Sequence, residues 1–162
     1  MVTRIMLLLM LGFGLQGCST APPSHVLIEI SGEQFNLEIV RDISSRADGM
    51  MHRTSFLPNT GMLFIFPDAG ERSFWMKNCL IAIDLIFLDS RGTIIALHEM
   101  PYEDHKSDSE SNWEYEQRLL HYWSYGPARF AIELEEGSIA ALELRVNDRI
   151  QLDLKYLKSI AR

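Results

Sequence analysis

Short apolar stretches separated by turn-forming residues constrain the fold of this chain more than any other sequence feature. Residues 26–40 alternate apolar and polar side chains on both sides of Ser31-Gly-Glu-Gln34, which predicts a β-hairpin. Residues 84–97 repeat this pattern around Asp89-Ser-Arg-Gly92, where glycine tolerates the positive φ of a tight turn. The apolar run at residues 61–66 is typical of a buried strand. The chain is therefore expected to be built mainly from short strands.

Other segments complete this prediction. Further strands are expected at residues 73–78, 129–134 and 149–154, and short helices at residues 44–51, 112–123 and 137–142. Ser45 with Asp48, and Ser111 with Glu114, have the spacing of a helix capping box. About eight short strands with two or three short helices predict a mainly β (α+β) fold, arranged as a compact barrel or sandwich.

The N-terminus carries an export pattern. Arg4 precedes an apolar run of about ten residues, which is half the length of a membrane-spanning helix. Leu15-Gln-Gly-Cys18 resembles the lipobox of bacterial lipoproteins, which implies cleavage before Cys18 and lipidation of that cysteine. The alternative is an ordinary signal peptide that ends near a cysteine. We predict a signal peptide at residues 1–17, the lipidated cysteine and a proline-rich tether at residues 18–25, and a single domain at residues 26–157.

The net charge of the chain and the predicted lipid anchor together indicate which partners to expect. The formal net charge is −7, which disfavours both nucleic acid and anionic membrane surfaces as partners. Membrane attachment is therefore expected to come from the lipid anchor, in the cell envelope and facing the periplasm. Ser19 resembles the residue type that directs lipoproteins to the outer membrane. The chain has no glycine-rich phosphate loop and no Gly-x-Ser-x-Gly motif, so no cofactor is predicted.

Four motifs carry a family resemblance. The chain reads Gly49-Met-Met-His-Arg53, Gly61-Met-Leu-Phe-Ile-Phe66, Phe74-Trp-Met-Lys-Asn78 and Ile81-Ala-Ile-Asp84. These motifs resemble the signature of domain-of-unknown-function family 192, also called uncharacterised protein family 0127, across roughly residues 26–155. The resemblance implies a small β-rich fold that is often exported, and it implies no established activity.

The chain departs from the family pattern at several positions. Cys79 stands where the family has Thr, Ala82 where it has Pro, and Met50 where it has Leu. Asn147 replaces a glycine, and because Asn tolerates left-handed backbone geometry we expect that turn to survive. Residues 103–125 form a longer segment than is usual in the family, which we interpret as an insertion.

The segment from Phe74 to Asn78 is the main candidate for a ligand site. On a strand, Trp75 and Lys77 face the same way, so one face offers an aromatic ring beside an ammonium group. Arg53, Asn78 and Asp84 could complete a polar site with them. The structural alternative is that Trp75 fills the core, Asn78 caps a turn, and Lys77 forms an ion pair with Asp84.

Other reactive residues favour structural interpretations. Cys79 precedes an apolar run and is expected to be a small buried side chain rather than a nucleophile. The group around His98 and His105 is not a zinc motif, because Pro101 prevents the helix that such a motif uses. We interpret it as a solvated acidic loop, and no metal site or catalytic residue is predicted.

Three functions are compatible with these features. The favoured one is a binding module for a small molecule or peptide. The second is a scaffold or assembly lipoprotein that contacts other envelope proteins through the aromatic residues 113–123, which could instead fold back over their own apolar patch. The third is an enzyme with acid–base chemistry on Lys77, Asp84 and His98. The sequence leans against the enzyme.

Overall fold

The computed structural model describes residues 23–162. The predicted signal peptide, the predicted lipidation site Cys18 and the first part of the tether lie outside the described residues. No helix within residues 23–162 is both long and apolar enough to cross a membrane.

Strands form most of the regular structure. They are β1 His25–Ile30, β2 Glu33–Val40, β3 Thr60–Gly70, β4 Ser73–Phe74, β5 Ile83–Leu88, β6 Ile94–Met100, β7 Tyr122–Trp123 and β8 Ala128–Glu135. Four short helices are α1 Ile43–Asp48, α2 Asn112–Arg118, α3 Ser138–Ala141 and α4 Leu154–Ile160. The predicted mainly β (α+β) fold is confirmed.

Six strands form one sheet in the order β1-β2-β3-β8-β5-β6, and β4 pairs with β7 in a second, two-stranded sheet. Strands β2 and β3 run parallel, and the other pairs are antiparallel. The large sheet is open, because β1 and β6 do not pair with each other. The predicted barrel is therefore wrong, and the sandwich-like arrangement is the one observed.

The three central strands, β3, β8 and β5, are buried on both faces. In β8, Phe130 and Ile132 belong to the hydrophobic cluster on one face, which we call the helix face because α3, α4 and their flanking loops cover it. Ala131 belongs to the cluster on the other face, which we call the pocket face. Two-sided burial explains the nearly continuous apolar runs of these strands, since side chains on both faces must be apolar.

One predicted strand is shorter than expected, and another is not formed. Residues 73–78 form a strand only at Ser73–Phe74, where β4 pairs with the two residues of β7. Further along, Asn78 adopts a left-handed φ of 54° and the Cys79 N–H donates to the Met76 carbonyl, which forms a turn. Residues 149–154 do not form a closing strand. Arg149 makes a single bridge to Thr93, and the Asp153 side chain then accepts from the Tyr156 N–H and starts helix α4.

Local sequence patterns predict the turns correctly, but they predict the helix ends and caps only in part. Both predicted hairpins are present, and Asn147 keeps its turn with a φ of 79°. Ser111 and Glu114 form the predicted capping box, but α2 ends at Arg118 instead of residue 123. Helix α1 is capped by Asp42 with Ser45, so the predicted box at Ser45 is wrong.

Candidate functional site

A half-open pocket of about 350 Å³ lies on the pocket face of the large sheet. That size suits a small-molecule site. It lies between the end of α1, strands β3, β4 and β8, and the loop after β4. Its lining residues are Ile43, Arg46, Ala47, Asp48, Gly49, Met50, Met51, Phe64, Phe66, Ser73, Phe74, Trp75, Lys77, Cys79 and Glu133.

The loop after β4 supplies one wall of the pocket. Ser73, Trp75 and Lys77 all line the pocket, whereas Met76 between them is fully buried. The Lys77 ammonium lies 5.3 Å from the centroid of the Trp75 ring, within cation–π range. Lys77 also forms an ion pair with Glu116 of α2, so the segment at residues 103–125 helps to hold this wall.

Aromatic rings form another part of the lining. Phe64 and Phe66 come from β3, where alternation turns both toward the pocket face. Phe74 of β4 packs edge-on against Phe64, with 4.9 Å between ring centroids. The Arg46 guanidinium covers Phe66 at 5.7 Å and donates to the carbonyls of Arg41, Ile65 and Arg162.

Glu133 lies at the base of the pocket and is only 4% exposed. Its partners in the adjacent strands are Met62 and Leu85, two apolar residues of the pocket-face cluster. Within the described chain, the Glu133 Oε2 atom has no hydrogen-bond partner. Burial raises the pKa of Glu133 to about 8, and the positive charge of Arg53 opposes that rise. With this pKa the carboxyl group is mostly protonated at pH 7.

Gly49 lies beside this carboxyl group in the pocket lining. It ends helix α1 with φ 45° and ψ −128°, a combination that glycine tolerates far better than other residues. A β-carbon built on Gly49 would lie 3.6 Å from the Phe64 ring and 3.9 Å from the Glu133 Oε2 atom. The first residue of the Gly49-Met-Met-His-Arg53 motif thus belongs to the pocket.

Cys79 is a buried thiol, as predicted, with 4% exposure. Burial is the main cause that raises its pKa to about 12, and Glu133 and Glu103 add to the rise in their ionised forms. A thiol with this pKa carries almost no thiolate at pH 7, so it is a poor nucleophile.

Of the five predicted site residues, the structure brings only Trp75 and Lys77 together in this pocket. Asn78 forms a turn instead. Its N–H donates to the Tyr115 hydroxyl at 2.9 Å, and its carbonyl accepts from the His52 N–H at 3.0 Å. The side chain of Asn78 also approaches Met51, with 4.0 Å between Nδ2 and the sulfur.

The other two predicted residues lie elsewhere. Arg53 pairs with Glu38 at 2.8 Å and lines a separate cavity of about 150 Å³. Asp84 is fully buried, and its Oδ2 atom accepts from the Ile139 N–H at 2.7 Å. Burial raises the pKa of Asp84. The Lys77–Asp84 ion pair considered above is wrong, because Asp84 lies on the helix face and Lys77 pairs with Glu116.

Lys77, Asp84 and His98, the residues of the acid–base hypothesis, are likewise not brought together, because Asp84 lies on the helix face and Lys77 lines the pocket. The two histidines near the predicted acidic loop bond to backbone carbonyls. His98 bonds through Nε2 to the Trp123 carbonyl at 2.7 Å, and His105 bonds to the Cys79 carbonyl at 3.3 Å. Across residues 23–162, no group of three or more His, Cys, Asp or Glu side chains is arranged to hold a metal ion.

Sequence reasoning missed Glu133, although a signal was present. Glu133 is an acidic residue inside an otherwise apolar strand, at the same parity as Ala131 and flanked by Ile132 and Leu134. A charged residue within a doubly buried strand is costly unless it is paired or has a function, so its position alone marks it for attention.

Comparisons with known proteins agree with this fold. A crystal structure from Sinorhizobium meliloti 1021, described as a "putative transcription regulator", superposes with a TM-score of 0.61 at 29% identity, covering 81% of this chain and 97% of that one. A crystal structure of a protein of unknown function from Novosphingobium aromaticivorans DSM 12444 has a TM-score of 0.64 at 23% identity, covering 83% of this chain and 94% of that one. No curated protein sequence matches the chain. The model of the DUF192 family, described as "Uncharacterized ACR", matches residues 26–152. The chain therefore belongs to the DUF192 family.

Proposed function

We propose that this chain is a ligand-binding module that holds a small molecule, or the end of a short peptide, in the pocket between Phe64 and Trp75. The observation that carries the proposal is the buried Glu133 carboxyl group at the base of an open pocket with four aromatic lining residues. A buried polar atom without a partner costs folding free energy, on the order of 1–3 kcal/mol. A ligand that bonds to it would recover this cost.

The surrounding side chains suit binding better than catalysis. The Cys79 thiol is protonated, and Lys77 is engaged by Glu116. Asp84 lies on the opposite face of the sheet and is bonded to the Ile139 N–H. The pocket thus combines apolar walls with a few fixed polar groups, which is the usual makeup of a binding site.

The N-terminal sequence supports a location for this module. Lipidation at Cys18 would anchor the domain to an envelope membrane, facing the periplasm, with the outer membrane as the destination that Ser19 favours. Strand β1 begins at His25, a few residues after Cys18, so the tether is short. Metabolic labelling with a fatty acid, compared between wild type and Cys18→Ala, tests this part of the proposal.

A thermal-shift screen of the purified full chain tests the binding function. At a hundred times its Kd, a ligand adds about 2.7 kcal/mol and raises the Tm by roughly 5–10 °C. Trp75→Ala should remove the shift, because Trp75 lines the pocket. Trp113→Ala is the matched control, since Trp113 is 70% exposed on α2 and does not line the pocket. Equal shifts in both variants would contradict the proposed site.

A scaffold function is the second candidate, and exposed apolar side chains support it. Tyr115 and Leu119 of the 103–125 segment are buried. The segment still exposes Trp113, Leu120 and Tyr125 at 70%, 58% and 76%. Crosslinking in whole cells should lose a specific partner in Trp113→Ala, whereas Trp75→Ala should keep it.

A further inference from the structure

The pocket base carries a single polar group that the protein leaves unsatisfied, and that group is an acid. Glu133 projects from the central strand β8 between Met62 of β3 and Leu85 of β5, neither of which can bond to it. Its Oε2 atom has no partner within residues 23–162. Glu133 lines the pocket together with Gly49 and Phe64, and a β-carbon built on Gly49 would lie 3.9 Å from the Oε2 atom.

Each nearby basic group already has a partner. Arg46 donates to three backbone carbonyls, Lys77 pairs with Glu116, and Arg53 pairs with Glu38. Strands β3 and β5 present only Met62, Phe64 and Leu85 at this point, and the loop after β4 adds the protonated Cys79. Asp48, at the end of α1, is the remaining charged lining residue, and it is exposed to solvent.

We infer that the pocket binds a cationic amine, whose ammonium group pairs with the Glu133 carboxylate while its apolar body lies against Phe64, Phe74 and Trp75. This inference rests on the proposed binding function and names the ligand's chemistry. Aromatic faces attract cations, most strongly where water is excluded. A buried carboxylate is stabilised when an opposite charge bonds to it directly.

Binding of this ligand has a defined proton balance. Free Glu133 holds its proton at pH 7. When an ammonium ion enters, Glu133 ionises to form the ion pair, the ligand keeps its three N–H protons, and the carboxyl proton passes to solvent. One proton is therefore released for each amine bound at pH 7. A ligand that merely accepts a hydrogen bond from the neutral acid releases none.

Three probes of nearly equal shape separate these cases: 2-phenylethylammonium, 2-phenylethanol and 3-phenylpropanoate. Isothermal titration of the full chain in phosphate and in Tris, whose ionisation enthalpies differ, measures affinity and proton release together. We expect the ammonium probe to bind at least tenfold more tightly than the other two, with about one proton released. Its affinity should rise up to tenfold per pH unit between pH 6 and 8, because less work is then needed to ionise Glu133.

Two variants complete the test. Glu133→Gln keeps the shape of the side chain but cannot ionise, so it should weaken the ammonium probe at least tenfold and leave 2-phenylethanol unchanged. Glu103→Gln makes the same change on a partly buried carboxyl group outside the pocket, and should bind all three probes as wild type does. An unchanged affinity of Glu133→Gln for the ammonium probe would overturn the inference.

The outcomes also separate this inference from the binding function. Preferential binding of the alcohol or the carboxylate, lost in Trp75→Ala, would refute the amine and leave the binding module standing. Absence of heat from all three probes at millimolar concentration would count against both.

Discussion

Two acidic side chains are buried in adjacent strands of the same sheet, and their surroundings differ. Asp84 of β5 lies on the helix face, where the Ile139 N–H at the start of α3 donates to its Oδ2 atom at 2.7 Å, while its Oδ1 atom has no partner within residues 23–162. Glu133 of β8 lies on the pocket face, with no partner for its Oε2 atom among the described residues and an open cavity above it. Burial raises the pKa of both. The Ile139 N–H gives Asp84 a structural role. Glu133 has no such backbone donor in the described part of the chain and lines the pocket, so it is the candidate for ligand contact.

The largest expected effect of this difference is the dependence of stability on pH. The pKa of Glu133 is about 8 in the folded state against 4.5 as the ordinary value, so between these pH values the folded state holds a proton that the unfolded state has lost. Stability should therefore fall as pH rises through this window, by about 1.4 kcal/mol per pH unit from this group alone. Urea unfolding of wild type and Glu133→Gln at pH 5 and 8 measures it.

The variant should gain several kcal/mol relative to wild type between pH 5 and pH 8, on the order of 1.4 kcal/mol for each unit. Asp84 and all other groups are common to both proteins, so the difference isolates Glu133. Parallel pH profiles for the two proteins would contradict the assigned ionisation of Glu133.

The next effect concerns the backbone partner of Asp84. Asp84→Ala removes the acceptor for the buried Ile139 N–H and should destabilise the domain by roughly 2–3 kcal/mol. Asp84→Asn keeps an acceptor oxygen and should cost less than about 1 kcal/mol. Neither change should alter probe binding at the pocket, since Asp84 lies on the other face. Loss of binding in a folded Asp84→Asn protein would break the distinction between the two faces.

Gly49→Ala tests whether the space beside Glu133 belongs to the binding pocket. The substituted alanine would keep the positive φ of 45°, and this backbone strain should lower the free energy of unfolding by about 1–2 kcal/mol. The same methyl would occupy part of the pocket beside the Glu133 Oε2 atom, so binding should weaken as well. Gly137→Ala is a matched control, because Gly137 also has a positive φ but no atom lies near its built β-carbon. Equal binding by both variants would argue against a pocket at Gly49.

The smallest expected effect is at the pocket rim. Lys77 and Glu116 form a partly exposed ion pair, which should contribute less than about 1 kcal/mol to stability. Glu116→Gln frees Lys77 and leaves Glu133 untouched, so the preference for an ammonium probe should persist. Thermal unfolding and titration of Glu116→Gln measure both. A reversal of preference toward 3-phenylpropanoate would show that Lys77, rather than Glu133, controls ligand charge.

The strand pattern and the hairpins could be predicted because period-two alternation and turn residues are local signals. The predicted strand at residues 149–154 is wrong, because apolar and polar residues alternate there although Asp153 caps a helix. Open and closed sheets could not be distinguished, since strand pairing across the chain leaves no local signal. The order β3-β8-β5, for example, joins strands that are distant in sequence.

The candidate site was predicted only in part. Trp75 and Lys77 both line the pocket, as predicted, but they lie in the loop after β4, and Phe74 of the opposite parity lines the pocket with them, so strand alternation is not the cause. The prediction that Asn78, Arg53 and Asp84 complete a polar site with them is not met, because the fold distributes these residues to a turn, a second cavity and the opposite face. Glu133 comes from a distant strand outside those motifs, and only tertiary pairing brings it to the pocket.

Nuclear magnetic resonance titration of the Glu133 carboxyl carbon tests the central claim most directly. The account predicts a protonated Glu133 that titrates near pH 8 in the free protein, and a carboxylate at pH 7 once 2-phenylethylammonium saturates the pocket. Titration of the free protein near pH 4.5 would contradict the account, because it would mean that water or a charged partner already satisfies this carboxyl group.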